Sequence, residues 1–225
     1  MQHLLEVIDQ YHERLRAALN IELDAIKDSE RQRRVNVWLY SPEPLEKAGV
    51  VTPDKPKMFY GVVNAAGVHL ITREMAWDDP DVLRQVLHEV VHFWWADNFG
   101  EAPSLLNEGI AVYLERVLST NVVQARRELA HFWQEYAARV RPGFLRRFCN
   151  NDNFWSERNA GEPVYEIGGQ LVSFLFDNHG LPSLQRIFLK SHYNDPHLPD
   201  HIKDVLGVSI DSLEQQIFAM TRSNQ

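Results

Sequence analysis

Apolar residues recur at helical spacing along most of the chain and alternate with polar residues in a short early region. Residues 1–30 carry leucines and isoleucines three and four positions apart with charges between them, which predicts an amphipathic helix. Residues 34–40 alternate in polarity and predict a strand. Two β-rich runs, 58–63 and 68–72, flank the four residues 64–67. Their spacing predicts a β-hairpin, so a small sheet is expected here.

Helical spacing dominates from residue 80 onward. Asp78, Asp79 and Pro80 provide a cap and a first-turn proline, and apolar residues follow at intervals of three and four as far as Gly100. A second helix is expected to begin at Ser104. The sequence therefore predicts an α+β fold: a small, mostly antiparallel sheet and one long helix, then a helical lobe. The later helices are predicted over 122–139, 143–149, 163–179, 182–190 and 211–222.

No repeat, low-complexity tract or long flexible linker divides the 225 residues. A chain of this length fits one large domain or two tightly joined lobes. We therefore expect a single domain over 1–225, with one lobe over 1–100 and another over 101–225.

The composition restricts the partners and the metal ligands. With 44% hydrophobic residues and a net charge of −8, the chain is not expected to bind nucleic acid or anionic lipid. Cys149 is the single cysteine, which excludes intrachain disulfides and zinc sites built on two or more thiolates. The first 15 residues lack the features of a secretory signal, and no run reaches the length of a membrane span. A cytoplasmic location is expected, unless a leader has been removed.

Residues 88–92 read His-Glu-Val-Val-His and lie inside the clearest predicted helix. Positions four apart differ by about 40° around a helix and about 6 Å along it, so His88 and His92 can reach one ion. Glu89 is offset by about 100°, which suits a carboxylate that bonds a zinc-bound water without ligating the zinc. The cofactor predicted from this motif is one Zn²⁺ per chain. The alternative is that both histidines pack in the core with satisfied ring nitrogens.

A tetrahedral zinc held by two histidines needs one further protein ligand and a water. Glu108, near the start of the next predicted helix, is well placed to be that ligand. Glu101 and Glu115 are alternatives within reach. Glu115, two turns after Glu108, is more plausible as support for a ligand histidine, and Asp97 is a second candidate for that role.

Other clusters are interpreted as structural. A metzincin would carry glycine and histidine at the positions of Trp95 and Asn98, which excludes that family. Peptide deformylases take a cysteine ligand from upstream of the helix, whereas Cys149 lies far downstream and is interpreted as a small apolar residue. The histidines of 192–201 lie in a proline-rich segment without ligand spacing and predict a solvated loop. The aromatic run 93–95, with Phe132 and Trp133, is interpreted as a core wedge between the helical lobes, and the alternative is that it lines a substrate pocket.

The His-Glu-x-x-His motif together with Asn-Glu-Gly-x-Ala at 107–111 resembles the gluzincin metallopeptidases, which include thermolysin-like and aminopeptidase enzymes. The resemblance implies a zincin-like fold and a peptide or protein substrate. It also implies that Tyr165 donates a hydrogen bond to the developing oxyanion, with ordinary packing as the alternative. The hairpin residues Asn64, Ala65 and Ala66 are expected to bind substrate by strand addition, or else to form a plain turn. The Gly-x-Met-Glu-Asn segment of the aminopeptidases is absent, so aminopeptidase activity is not predicted.

These features predict a zinc-dependent peptide hydrolase. Zinc would acidify a water, Glu89 would accept its proton and pass it to the leaving amine, and Tyr165 would stabilise the oxyanion. One alternative is a zinc hydrolase of a non-peptide amide or ester, and another is a zinc-stabilised binding domain without turnover. Glu89 argues against the last, because a purely structural site needs closed coordination and no general base.

Overall fold

The computed structural model describes residues 37–40, 60–64, 67–71 and 80–223. The predicted helix over 1–30 lies outside the described residues, so it stays a prediction. The described strands are β1 (Val37–Tyr40), β2 (Tyr60–Asn64) and β3 (Gly67–Ile71). The order in the sheet is β1-β3-β2, with β1 parallel to β3 and β2 antiparallel to it. Asn64 pairs with Gly67 at the end of β2 and β3, as the hairpin prediction requires.

Eight helices are described, and their periodic apolar residues account for most of the helix predictions. They are α1 (Pro80–Phe99), α2 (Ser104–Ser119), α3 (Val122–Ala137), α4 (Phe144–Phe148), α5 (Asn151–Asn159), α6 (Val164–Lys190), α7 (Leu198–Leu206) and α8 (Ile210–Ser223). No helix among the described residues combines the length and the apolar character that crossing a bilayer requires.

The predicted zincin-like α+β fold with a mostly antiparallel sheet is wrong. Helices make up about 80% of residues 80–223. The described strands are short, and one of their two pairings is parallel. Alternating polarity marks residues that form a strand, but it does not specify the partner or its direction, because strand pairing depends on contacts distant in sequence.

Backbone contacts divide the chain into two compact units, residues 1–94 and 95–225. The division falls within α1, which is continuous across it. The first unit contains the three strands and most of α1, and the second contains the other seven described helices. The prediction of one domain with lobes over 1–100 and 101–225 stays a prediction.

In the second unit, α2 and α6 make the most extensive contact between described elements. Their backbones meet where Gly109 faces Gly168: a Cβ on Gly109 would lie 2.5 Å from the Gly168 carbonyl oxygen, and one on Gly168 would lie 2.5 Å from the Leu105 carbonyl oxygen. Only glycine fits at such an approach. The small residue after Glu108 therefore serves packing of α2 on α6.

Large aromatic side chains fill the core of the second unit. Trp95 and Trp133 are 1% and 0% exposed, and the rings of Trp95 and Phe188 meet edge to face with centroids 5.1 Å apart. The interpretation of the aromatic run as a core element is therefore confirmed for Trp95. Trp94 is likewise buried.

Glycine and proline, rather than apolar periodicity, mark the kink within α6 and the start of α7. Gly180, at φ 74° and ψ 163°, interrupts α6, so the run comprises two helices that meet at a kink, as the separate predictions over 163–179 and 182–190 require. The predicted loop over 192–201 is wrong in its second half, because α7 begins at Leu198. Pro199 lies in the first turn of α7, where a missing N–H costs nothing.

Candidate metal centre

His88 and His92 lie one turn apart on α1, and their rings face each other. The two Nε2 atoms are 3.1 Å apart, and the ring centroids are 4.7 Å apart with the planes at 77°. His88 is buried, with 6% of its surface exposed, and His92 is half-buried. The helix spacing therefore brings both imidazoles to one point, as the motif predicts.

Glu108 lies in the second turn of α2, and its neighbours fix the start of that helix. The Ala102 backbone N–H donates to Asn107 Oδ1 at 3.2 Å, which ties the segment between α1 and α2 to α2 itself. Asn151 Oδ1 accepts a hydrogen bond from the Ser104 backbone N–H at 2.8 Å, so an orphan donor of the first turn is satisfied. The side-chain amides of Asn107 and Asn151 therefore fix the first turn of α2, and Glu108 follows in the second turn.

One potential ligand atom from each of His88, His92 and Glu108 lies within 4.8 Å of the other two. Two ligands of a tetrahedral zinc, at bond lengths of about 2.0–2.1 Å, lie about 3.3 Å apart. The 3.1 Å between the histidine nitrogens is close to that value. Two imidazoles and one carboxylate are a donor set that zinc accepts, and in a tetrahedral site they leave one position for water. The residues therefore fit the predicted ion.

Glu89 is buried beside the histidines, with 6% of its surface exposed. Gln85, four residues earlier on α1, donates from Nε2 to Glu89 Oε1 at 2.8 Å. This bond fixes the position of one oxygen of the Glu89 carboxylate. Sequence reasoning missed Gln85, although its position one turn before Glu89 was a readable signal.

The other carboxylates proposed for the site differ in burial. Asp97 and Glu101 are exposed, whereas Glu115 is buried, with 9% of its surface exposed. The group of potential metal ligands found among the described residues contains Glu108 and neither Glu101 nor Glu115. The supporting roles of Asp97 and Glu115 stay predictions.

Tyr165 packs in an aromatic cluster of the second unit. Its ring stacks on Phe154 with centroids 5.9 Å apart and meets Trp155 edge to face at 6.1 Å. The Arg158 guanidinium lies 4.9 Å above the same ring. These contacts explain how the Tyr165 ring is packed. The role of its hydroxyl in oxyanion stabilisation stays a prediction.

The predicted substrate-binding residues fall at the hairpin. Asn64 ends β2 and pairs with Gly67, while Ala65 and Ala66 lie outside the described residues. Their role in binding peptide also stays a prediction.

Cys149 behaves as the small apolar residue that the sequence suggested. It is 5% exposed, and its thiol donates to the Leu145 carbonyl oxygen at 3.3 Å. Burial raises the pKa of the Cys149 thiol to about 12, so the thiol stays protonated at neutral pH. A protonated buried thiol is neither a nucleophile nor a metal ligand.

No protein-family model, curated protein or solved structure matches the chain.

Proposed function

We propose that the chain is a zinc-dependent peptide hydrolase in which His88, His92 and Glu108 hold one Zn²⁺ and Glu89 is the general base. The observation that carries the proposal is the convergence of two imidazole nitrogens and one carboxylate, within 4.8 Å of one another, next to a buried glutamate that is not part of that group. A site with three protein ligands keeps a position for water, whereas structural zinc sites fill all four.

The bound ion would lower the pKa of a water and polarise the substrate carbonyl. Glu89 then accepts the proton of the attacking water and transfers it to the leaving amine. The Gln85 amide holds Glu89 in position for both transfers, since its bond restricts the carboxylate rotamer. Tyr165 is the proposed donor to the oxyanion.

The proposal includes membership of the gluzincins by ligand set and general base, and it does not include a zincin-like fold. The substrate class is a peptide or protein, and no nucleic acid or membrane partner is proposed. A cytoplasmic location is part of the same proposal.

The central test combines metal analysis with substitution of Glu89. Purified protein should contain about one zinc per chain, as in other sites with three protein ligands. Glu89→Gln should keep the zinc and lose peptide hydrolysis by about a thousandfold, because only the proton acceptor is removed. A peptide-library digest with mass spectrometry measures hydrolysis, and elemental analysis measures zinc.

Matched variants test whether Glu108 or Glu101 is the third zinc ligand. Glu108→Ala should release the zinc, whereas Glu101→Ala, at an exposed carboxylate seven residues earlier, should retain it. A protein that binds no zinc would overturn the proposal. Zinc binding without cleavage of any peptide would instead favour a non-peptide substrate or a binding domain without turnover.

A further inference from the structure

The loop between α6 and α7 presents Tyr193 on a backbone that is held in place. The Tyr193 side chain is exposed, with 37% of its surface accessible. Beneath it, Asn151 Nδ2 donates to the Tyr193 carbonyl oxygen at 2.7 Å. Two residues later, the buried Asp195 carboxylate accepts from the His197 backbone N–H at 2.8 Å and pairs with His201 Nε2 at 2.9 Å. An exposed ring on a fixed backbone is suited to contact a ligand without a large ordering cost.

The Tyr193 hydroxyl oxygen has hydrogen-bond donors from two helices. Trp155 Nε1 donates to the Tyr193 oxygen at 3.2 Å, and Ser104 Oγ lies 3.4 Å away as a second donor. A phenol oxygen has acceptor positions and a single proton. Because both partners act as donors to the Tyr193 oxygen, neither bond uses the Tyr193 proton, which can be donated to an acceptor on a ligand.

The Tyr193 hydroxyl lies beside α2, next to Ser104. Ser104 and Glu108 are four residues apart on this helix, so their side chains are neighbours on one face, about 6 Å apart along the axis. The Tyr193 hydroxyl therefore contacts the side chain of the residue one helical turn before Glu108. Asn151 fixes this spacing, because its Oδ1 accepts from the Ser104 backbone N–H at 2.8 Å while its Nδ2 holds Tyr193.

We propose that Tyr193 is a substrate-binding residue that donates a hydrogen bond to a backbone carbonyl of the peptide substrate. The inference rests on the proposed function, since it takes Glu108 as the ligand that marks the reacting bond. An extended peptide advances about 3.3 Å per residue, so one helical turn corresponds to about two residues. For a peptide that runs along α2, Tyr193 would contact the substrate about two residues from the cleaved bond.

The test is Tyr193→Phe, which keeps the ring and removes the hydroxyl. The probe is a fluorogenic peptide built on the sequence that the wild-type protein cleaves fastest in a library digest. We expect KM to rise about tenfold with kcat within twofold of wild type, because the hydrogen bond is made in both the bound and the transition state. Zinc content should not change.

Tyr136→Phe is the matched control. Tyr136 is fully buried on α3, and its hydroxyl accepts from Arg147 Nη2 at 3.3 Å, so it tests the loss of a tyrosine hydroxyl elsewhere in the same unit. Its KM should equal that of the wild type. A second measurement uses binding of the same peptide to Glu89→Gln, with and without Tyr193→Phe, by calorimetry. The dissociation constant should rise by the same factor as KM.

The outcomes separate the two proposals. If wild type cleaves the peptide and Tyr193→Phe leaves both KM and the dissociation constant unchanged, the role of Tyr193 is wrong and the hydrolase stands. A fall in kcat alone would also overturn it, because Tyr193 would then act at the reacting carbonyl. If wild type cleaves no peptide, with or without bound zinc, the peptide hydrolase and the Tyr193 role both fall.

Discussion

At the scale of single residues, the sequence predicts some side chains of the candidate site, but it does not predict the residues that contact them. His88, Glu89 and His92 are readable because one helix fixes their spacing. Gln85 is equally local, and it was missed only because its role depends on Glu89 being buried. Asn151 and Tyr193 could not be found in this way, since they meet Ser104 across 47 and 89 residues of chain.

Asp195 makes stability depend on pH through one buried carboxylate. Burial alone raises the pKa of Asp195, but hydrogen bonds from the His197 N–H and from His201 outweigh it, so the net pKa is lowered. A carboxylate with a lowered pKa stabilises the fold above its unfolded pKa of about 3.9, and the effect is lost as pH falls through the folded value.

We therefore expect Asp195→Asn to lower the free energy of unfolding by about 1–3 kcal/mol at pH 7, because bonds to a buried charged acceptor are lost. The difference from wild type should shrink as the pH falls from the ordinary aspartate pKa of about 3.9 through the lowered pKa of folded Asp195, because the carboxylate is then protonated. Urea unfolding at several pH values measures it. Asp200→Asn, at an exposed carboxylate of the same segment, should change little, and a pH-independent difference for Asp195→Asn would contradict the expectation.

At the scale of elements, the crossing of α2 and α6 fixes the helix that carries Glu108. The contact is between backbones at Gly109 and Gly168, whereas the neighbouring Gly169 faces the side chains of Leu129 and Val112. A backbone cannot move aside without shifting its helix, but a leucine can change rotamer. The two adjacent glycines therefore differ in what a methyl group would cost.

Gly168→Ala should destabilise the fold by about 3 kcal/mol, since the added Cβ would collide with the Leu105 carbonyl oxygen. Gly169→Ala should cost clearly less, because its closest contact is the mobile end of Leu129 at 2.9 Å and alanine gains about 1 kcal/mol of helix propensity. Denaturant unfolding of both variants measures the difference. Equal costs would show that the helices can separate at this point.

Helix prediction succeeded where apolar residues recur at helical spacing and failed for α5 and α7, which bury one and two side chains. α5 has a single buried side chain, Phe154, so its pattern carried no period, although Asn150 accepts from the Asn153 N–H as a cap. The sequence does not indicate α7, because prolines are typical of loops, yet Pro199 is tolerated in the first turn of this helix. The parallel pairing of β1 with β3 is non-local, and periodicity contains no information about it.

At the scale of the whole molecule, the candidate ligands come from two consecutive helices, so metal binding and folding should be linked. An ion that binds only the folded state raises the free energy of unfolding by about 2.7 kcal/mol when the free ion is at 100 times its dissociation constant. Zinc should therefore raise the midpoint of thermal unfolding, and a chelator should reverse the rise.

Two variants make this linkage specific. His92→Ala should remove the stabilisation by zinc, because two ligands bind the ion far more weakly than three. Glu89→Gln should keep it, since Glu89 is not a ligand in the proposed site. If zinc does not stabilise the wild type, or if Glu89→Gln loses the effect, the assignment of the ligands is wrong.

The contact between Gly109 and Gly168 also has a consequence for sequence divergence. Neither position can accept a side chain alone, because each Cβ would enter the backbone of the opposite helix. Every single-nucleotide replacement of either glycine adds a side chain, so the pair should change more slowly than the surface around it. A search for distant relatives should therefore require His-Glu-x-x-His, the Glu-Gly pair after 15 residues and a second glycine 59 residues beyond Gly109. This combined pattern is more selective than the five-residue motif alone, because it specifies both the ligands and the helix crossing that holds one of them.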